Sequence, residues 1–144
     1  MSEASKNPEV IGTCHDLDIA DVGRVRAFMA KVVRAFALAD AAILDAMSHP
    51  GGDPRGQSNS REFDQSLMDG GDKVRSWSAR PYTEPKWRIM RTLRHHPPPS
   101  IWIDVTLNDG TRDYPYCFAC APDADGVLRS CYYVDRERRK PKRK

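Results

Sequence analysis

The sequence predicts an α+β fold in which N-terminal helices pack on an antiparallel β-meander supplied by the C-terminal third. Three observations predict it. Apolar residues recur at three- and four-residue steps from Val22 to Met47, single residues alternate from Ile101 to Leu107, and acid-Gly turns follow at Asp109-Gly110 and Asp125-Gly126. A chain of 144 residues, 40% apolar and 30% charged, fits one domain with its own core.

Residues 1–18 begin with a polar stretch and read as a mobile lead-in without the apolar segment of a secretory signal. From residue 19 to about 37, Val22, Val25, Met29, Val32, Val33 and Phe36 line one helical face, while Arg24, Arg26, Lys31 and Arg34 fall off it. Asp18 or Asp21 is placed to cap the helix start, where a short carboxylate accepts a bond from the first-turn amides. Extending the stripe past Phe36 would put Asp40 on the buried side. A break near residues 38–40 and a second short helix over about 40–48 relieve that conflict. His49-Pro50-Gly51-Gly52 ends the helical run.

Residues 50–60 are nearly all turn formers and read as a loop. Ser60, Glu62, Phe63, Leu67 and Met68 then suggest a short helix ending at Gly70-Gly71. Within the next segment, Trp87 to Leu93 can alternate as a strand, and Pro97-Pro98-Pro99 ends it, because consecutive prolines offer no amide donors. Ile101, Ile103, Val105 and Leu107 form one face of a strand. A two-residue turn at Asp109-Gly110 pairs Ile103 with Tyr116 and Ile101 with Phe118. The following turn, in its simplest register, sets Phe118 opposite Cys131 and Tyr116 opposite Tyr133. Pro115 lies within the middle strand, so a bulge is expected there.

Net charge is +3, but it is unevenly distributed. Residues 136–144 hold seven Lys/Arg and one Glu and read as a disordered basic tail, leaving residues 1–135 at −3. Inside that body, residues 73–96 carry seven basic residues against one acid, interleaved with Trp77, Tyr82 and Trp87. One reading is therefore a nucleic-acid surface built from Arg75, Arg80, Lys86, Arg88, Arg91, Arg94, Arg138, Arg139 and Lys140, with aromatics stacking on bases. The plainer reading is a strand whose arginines face solvent and whose tryptophans pack inward.

No apolar run is long enough to cross a membrane, so no membrane partner and a cytoplasmic setting are expected. The four cysteines then read as reduced thiols. Cys117 and Cys120 form a Cys-x-x-Cys, yet on a strand that odd spacing sends the two sulfurs to opposite faces, so no metal site is expected and no cofactor is implied. Tyr114, Tyr116 and Tyr133 share the inner face with Ile103 and Phe118. Buried phenols require hydrogen-bond partners, which points to a polar network or a ligand, with Asp40 as the acid able to join it. His15 lies just ahead of the first helix, placed to overhang a pocket as a general base.

The order of elements resembles the nuclear transport factor 2-like (SnoaL-like) superfamily over about residues 19–135. The echoes are Phe36-Ala37-Leu38-Ala39-Asp40-Ala41-Ala42-Ile43-Leu44 and the hairpins Ile103 to Gly110 and Asp125-Gly126-Val127-Leu128-Arg129. The resemblance implies a curved, cone-like sheet wrapped around the long helix, a pocket at its open end, and homodimers through the outer sheet face, which Trp102, Cys117 and Tyr132 would form. Members include isomerases, dehydratases, hydrolases, ligand-binding modules and non-catalytic subunits. The expected function is a pocket protein that binds a small hydrophobic or aromatic molecule through Tyr114, Phe118 and Ile103, or a non-catalytic assembly module. If it is an enzyme, Asp40 or His15 would be the base and Tyr116 or Tyr133 the proton donor, in cofactor-independent acid/base chemistry. Nucleic-acid association and a protein-interaction or inhibitory role are the alternatives.

Overall fold

The computed structural model describes residues 10–48, 54–83 and 99–133. In chain order the elements are β1 (Ile11–Cys14), α1 (Ile19–Leu38), α2 (Ala41–Asp45), α3 (Pro54–Asp69), β2 (Lys73–Pro81), β3 (Ile101–Asn108), β4 (Asp113–Pro122) and β5 (Leu128–Tyr133). The class is α+β as expected, but the sheet is mixed. Strands β2 to β5 form an antiparallel meander, and β1 adds a parallel edge in the order β1-β2-β3-β4-β5. Thus Ile11–Cys14, within the stretch read as a lead-in, are a strand. Four residues are too short for a periodicity to register.

Helix α1 starts where Asp18 accepts the Asp21 amide at 2.8 Å. It ends at Ala39, which takes the left-handed conformation at φ 54° and ψ 46°. The Asp40 amide bonds to the Ala35 carbonyl and the Ala39 amide to that of Phe36, the paired closure of a Schellman motif. This is the expected break, but Asp40 does not face inward. The left-handed residue resets the helical phase, so Asp40 is exposed and caps α2 by accepting the Ala42 amide at 3.1 Å. Gln65 of α3 bridges the junction: its Oε1 accepts from the Ala41 amide at 3.0 Å and its Nε2 donates to the Ala39 carbonyl at 2.8 Å.

Helix α3 is longer than expected because it begins at Pro54, inside the stretch read as a loop. Proline suits the first turn of a helix, where its missing amide donor costs nothing. The first strand of the meander is Lys73–Pro81, while the Trp87 to Leu93 strand lies outside the described residues. In β2, Val74, Trp77 and Ala79 are buried. Arg75 is the extra residue of a bulge between Val74 and Ser76, and it is exposed.

Both hairpin registers differ from expectation. Asn108 pairs with Asp113, so the β3–β4 loop has four residues, and Val105 faces Tyr116 while Ile103 faces Phe118. Asp109 Oδ1 explains the longer loop, since it accepts from the amides of Thr111 and Arg112 and from the Thr111 hydroxyl. The shift is two residues, which leaves every side chain on its expected face. In the second hairpin Phe118 faces Tyr133, and the register slips between Ala119 and Cys120. The bulge expected at Pro115 is absent. Pro115 pairs in register with Thr106, between the continuous pairs Leu107–Tyr114 and Val105–Tyr116.

The core lies between the helices and the inner sheet face. Phe28 and Phe36 of α1 and Tyr116 and Phe118 of β4 form a continuous edge-to-face chain. Centroids are 5.2 Å apart for Phe28–Phe118, 5.2 Å for Phe118–Tyr116 and 5.7 Å for Tyr116–Phe36. Each such pair contributes roughly 0.5–1.5 kcal/mol beyond the area it buries.

Candidate functional site

The inner face is a closed polar and aromatic interior. Tyr116, fully buried, donates its hydroxyl to Asp64 Oδ1 of α3 at 2.7 Å, and Tyr114 donates to Asp72 Oδ2. Both carboxylates are as buried as the core residues around them. Burial first, then the bond to Asp72 and its charge, with smaller pushes from Asp109 and Asp64, hold the Tyr114 phenol well above its ordinary range. A phenol shifted that way keeps its proton.

The residues expected to form one site are divided by this arrangement. Tyr114, Tyr116, Phe118 and Ile103 are together on the inner face, whereas the two expected bases are elsewhere. Asp40 is the exposed cap of α2, and His15 is exposed, with Nε2 3.3 Å from Thr13 Oγ1. Tyr133 is placed by its backbone opposite Phe118. The acids that meet the phenols are Asp64 and Asp72. Asp64 had a sequence signal, since it falls three and four residues before Leu67 and Met68 on the apolar stripe of its helix. Asp72 follows the Gly70-Gly71 turn and had none.

Of the basic residues, Arg75 lies 3.8 Å from an Asp113 carboxylate oxygen. Arg80 lies 3.7 Å from one of Asp104 and stacks over Trp102 at 5.7 Å. Lys86, Arg88, Arg91, Arg94, Arg138, Arg139 and Lys140 lie outside the described residues. Cys117 packs with Trp102 and Ala119 on the outer face and Cys120 lies in the main core, on opposite sides of β4 as the spacing requires. Trp102 and Cys117 are buried within the single chain, with the Trp102 indole donating to Asp104 at 2.7 Å, so neither is an exposed dimer patch. Among the described residues no three potential metal ligands converge, and no helix is long and apolar enough to cross a membrane.

A cleft of about 360 Å³ opens at the other end of α1, between that helix and the β4–β5 turn. Ala20, Gly23 and Ala27 form its helical wall. The buried side chains of Phe28, Met47 and Leu128 underlie it, and Val127, 39% exposed, stands at its rim. Three cations line it: Arg24, Lys31 and Arg129. Arg24 donates to the Gly126 carbonyl at 2.9 Å and pairs with Asp21 at 2.8 Å, which ties the helix to the turn. Arg129 pairs with Asp123 at 2.9 Å and donates to the Ala46 carbonyl at 2.8 Å.

The turn itself is preorganised. Asp123 accepts from the amides of Asp125 and Val127 as well as from Arg129, and Gly126 takes φ 81°. The Arg129 bond first, and then the Val127 amide, hold the Asp123 carboxyl below the usual carboxylate range. Glycine at position 23 has no reason in this chain, since its backbone is helical and an added Cβ meets nothing within 4 Å. Nothing in the sequence pattern announces the cleft, because its two walls are a hundred residues apart.

No family model, curated protein or solved structure matches the chain.

Proposed function

We propose that the protein is a non-catalytic binding module that takes a small hydrophobic or aromatic molecule in the cleft between α1 and the β4–β5 turn. The observation that carries this reading is the cleft itself, whose volume is within the range of small-molecule sites, ~300–1,000 Å³. Its base of Phe28, Met47 and Leu128 is apolar and buried, and Arg24, Lys31 and Arg129 add charge to its lining, the pattern expected of a ligand site. Binding on the inner face receives less support, because Phe28, Phe36, Tyr116 and Phe118 pack against one another there. Acid/base catalysis receives less as well, since the phenols are buried and hydrogen-bonded to Asp64 and Asp72, and the exposed Asp40 and His15 stand apart. The nuclear transport factor 2-like architecture belongs to the same proposal: helices over a meander accord with it, and its pocket would be displaced to the helix flank.

Gly23 supplies the test. A leucine there meets no atom of the chain at its Cβ, fills the cleft, and improves helix propensity by about 1 kcal/mol. Titration with N-phenyl-1-naphthylamine, a neutral aromatic probe, should give saturable binding to the native chain and none to Gly23→Leu, while the thermal midpoint of that variant rises. Equal binding by both chains, or none by the native chain, would overturn the proposal.

A further inference from the structure

We infer that the ligand of this cleft is an amphipathic monoanion, an aromatic or aliphatic body carrying one carboxylate or sulfonate-like group, and that Lys31 reads the charge. The inference rests on the binding reading above and goes beyond it by assigning charge, orientation and the residue that selects for both.

Three cations line the cleft, but two are already committed. Arg24 is neutralised by Asp21 and its Nε is occupied by the Gly126 carbonyl. Arg129 is neutralised by Asp123 and held by the Ala46 carbonyl. These two guanidiniums fix the walls. Lys31 is exposed, and no described carboxylate pairs with it. Asp21 and Asp123, which are not among the lining residues, cancel two of the cleft's three cations, so it retains a single uncommitted positive charge.

The position of that charge sets the orientation. Lys31 lies one turn beyond Ala27 on the same helical face, so its four-carbon stem leans back over the apolar wall and its ammonium meets the ligand on the Ala27 side of the cleft. A ligand lying along Ala20, Gly23 and Ala27 therefore has its apolar body against Phe28 and Leu128 and its anionic end beside Lys31. A neutral molecule would leave the ammonium hydrated and gain only the apolar contacts. A dianion would bring a second charge for which the cleft has no uncommitted cation. Lysine suits this role better than arginine, because its compact charge swings on a flexible stem and imposes no planar, bidentate geometry.

The experiment compares two probes that share one aromatic frame, 8-anilinonaphthalene-1-sulfonate and N-phenyl-1-naphthylamine, titrated by fluorescence against the full chain at low and high salt. The native chain should bind the sulfonate about five- to tenfold more tightly than the neutral amine, with the advantage shrinking as salt screens it. Lys31→Met should abolish the preference, Lys31→Arg should restore most of it, and Lys31→Glu should invert it. Lys31 is on a solvent face, so circular dichroism should report the native fold for all three. If the native chain binds both probes equally, or Lys31→Met leaves the preference intact, the inference fails while the binding function stands. If neither probe binds, both fail together.

Discussion

Gly12 shows how one missing atom holds an edge strand in place. It sits opposite Trp77 in the parallel pair, and a Cβ at that position would lie 2.1–2.5 Å from three atoms of the indole. The ring thus occupies the space a side chain would need, and Arg26 of α1 covers it from 5.8 Å. Adding even a methyl group forces the indole out. Gly12→Val should lower stability by about 1–3 kcal/mol, as overpacking does, and should shift tryptophan emission to the red as Trp77 meets water. Urea unfolding followed by fluorescence checks both, and an unchanged midpoint would refute the close approach. Such a glycine is invisible in sequence because its partner is 65 positions away. The helix cap at Asp18, by contrast, was legible, since cap and amide are three residues apart.

Among the elements, the junction of α1 and α2 carries a local cost. Ala39 adopts a left-handed conformation normally given to glycine, and the Cβ penalty there is roughly 1–2 kcal/mol. The Schellman bonds and the Gln65 bridge offset it. Ala39→Gly should therefore stabilise the protein by roughly 0.5–1 kcal/mol after the added freedom of the unfolded chain is subtracted. The denaturation midpoint should rise with an unchanged slope. Helix α1 was readable almost to the residue, because 20 residues give the apolar period many repeats. Its sequel was half readable: the conflict at Asp40 located the break, but the turn conformation that aims the acid outward depends on a carbonyl of α1 and on a glutamine of α3.

For the molecule as a whole, the two carboxylate-phenol pairs join layers that the chain visits far apart. Asp64 belongs to the helical layer and Tyr116 to the sheet, 52 residues later. Removing one partner strands a buried polar group, whereas removing both leaves the rings packed. Tyr116→Phe should cost about 2 kcal/mol, Asp64→Asn a comparable amount, and a double-mutant cycle by denaturant unfolding should give a coupling above 0.5 kcal/mol. Strict additivity would mean the bond contributes nothing. The α+β class and the inner-face residues were legible because strand parity survives errors of register. The cleft was not, since it exists only where Gly126 comes within reach of Arg24.

The four-residue loop at 109–112 also sets a rule for how this hairpin can change length. A two-residue turn in place of this loop would slide β4 along β3 by two residues and still present Tyr114, Tyr116 and Phe118 to the interior. Sliding β4 by one residue would turn the strand inside out, carrying three aromatic side chains to the outer face and Cys117 and Ala119 into the core. Register at this hairpin is therefore quantised in steps of two: even slides of β4 keep the core composition, while odd ones require a compensating bulge.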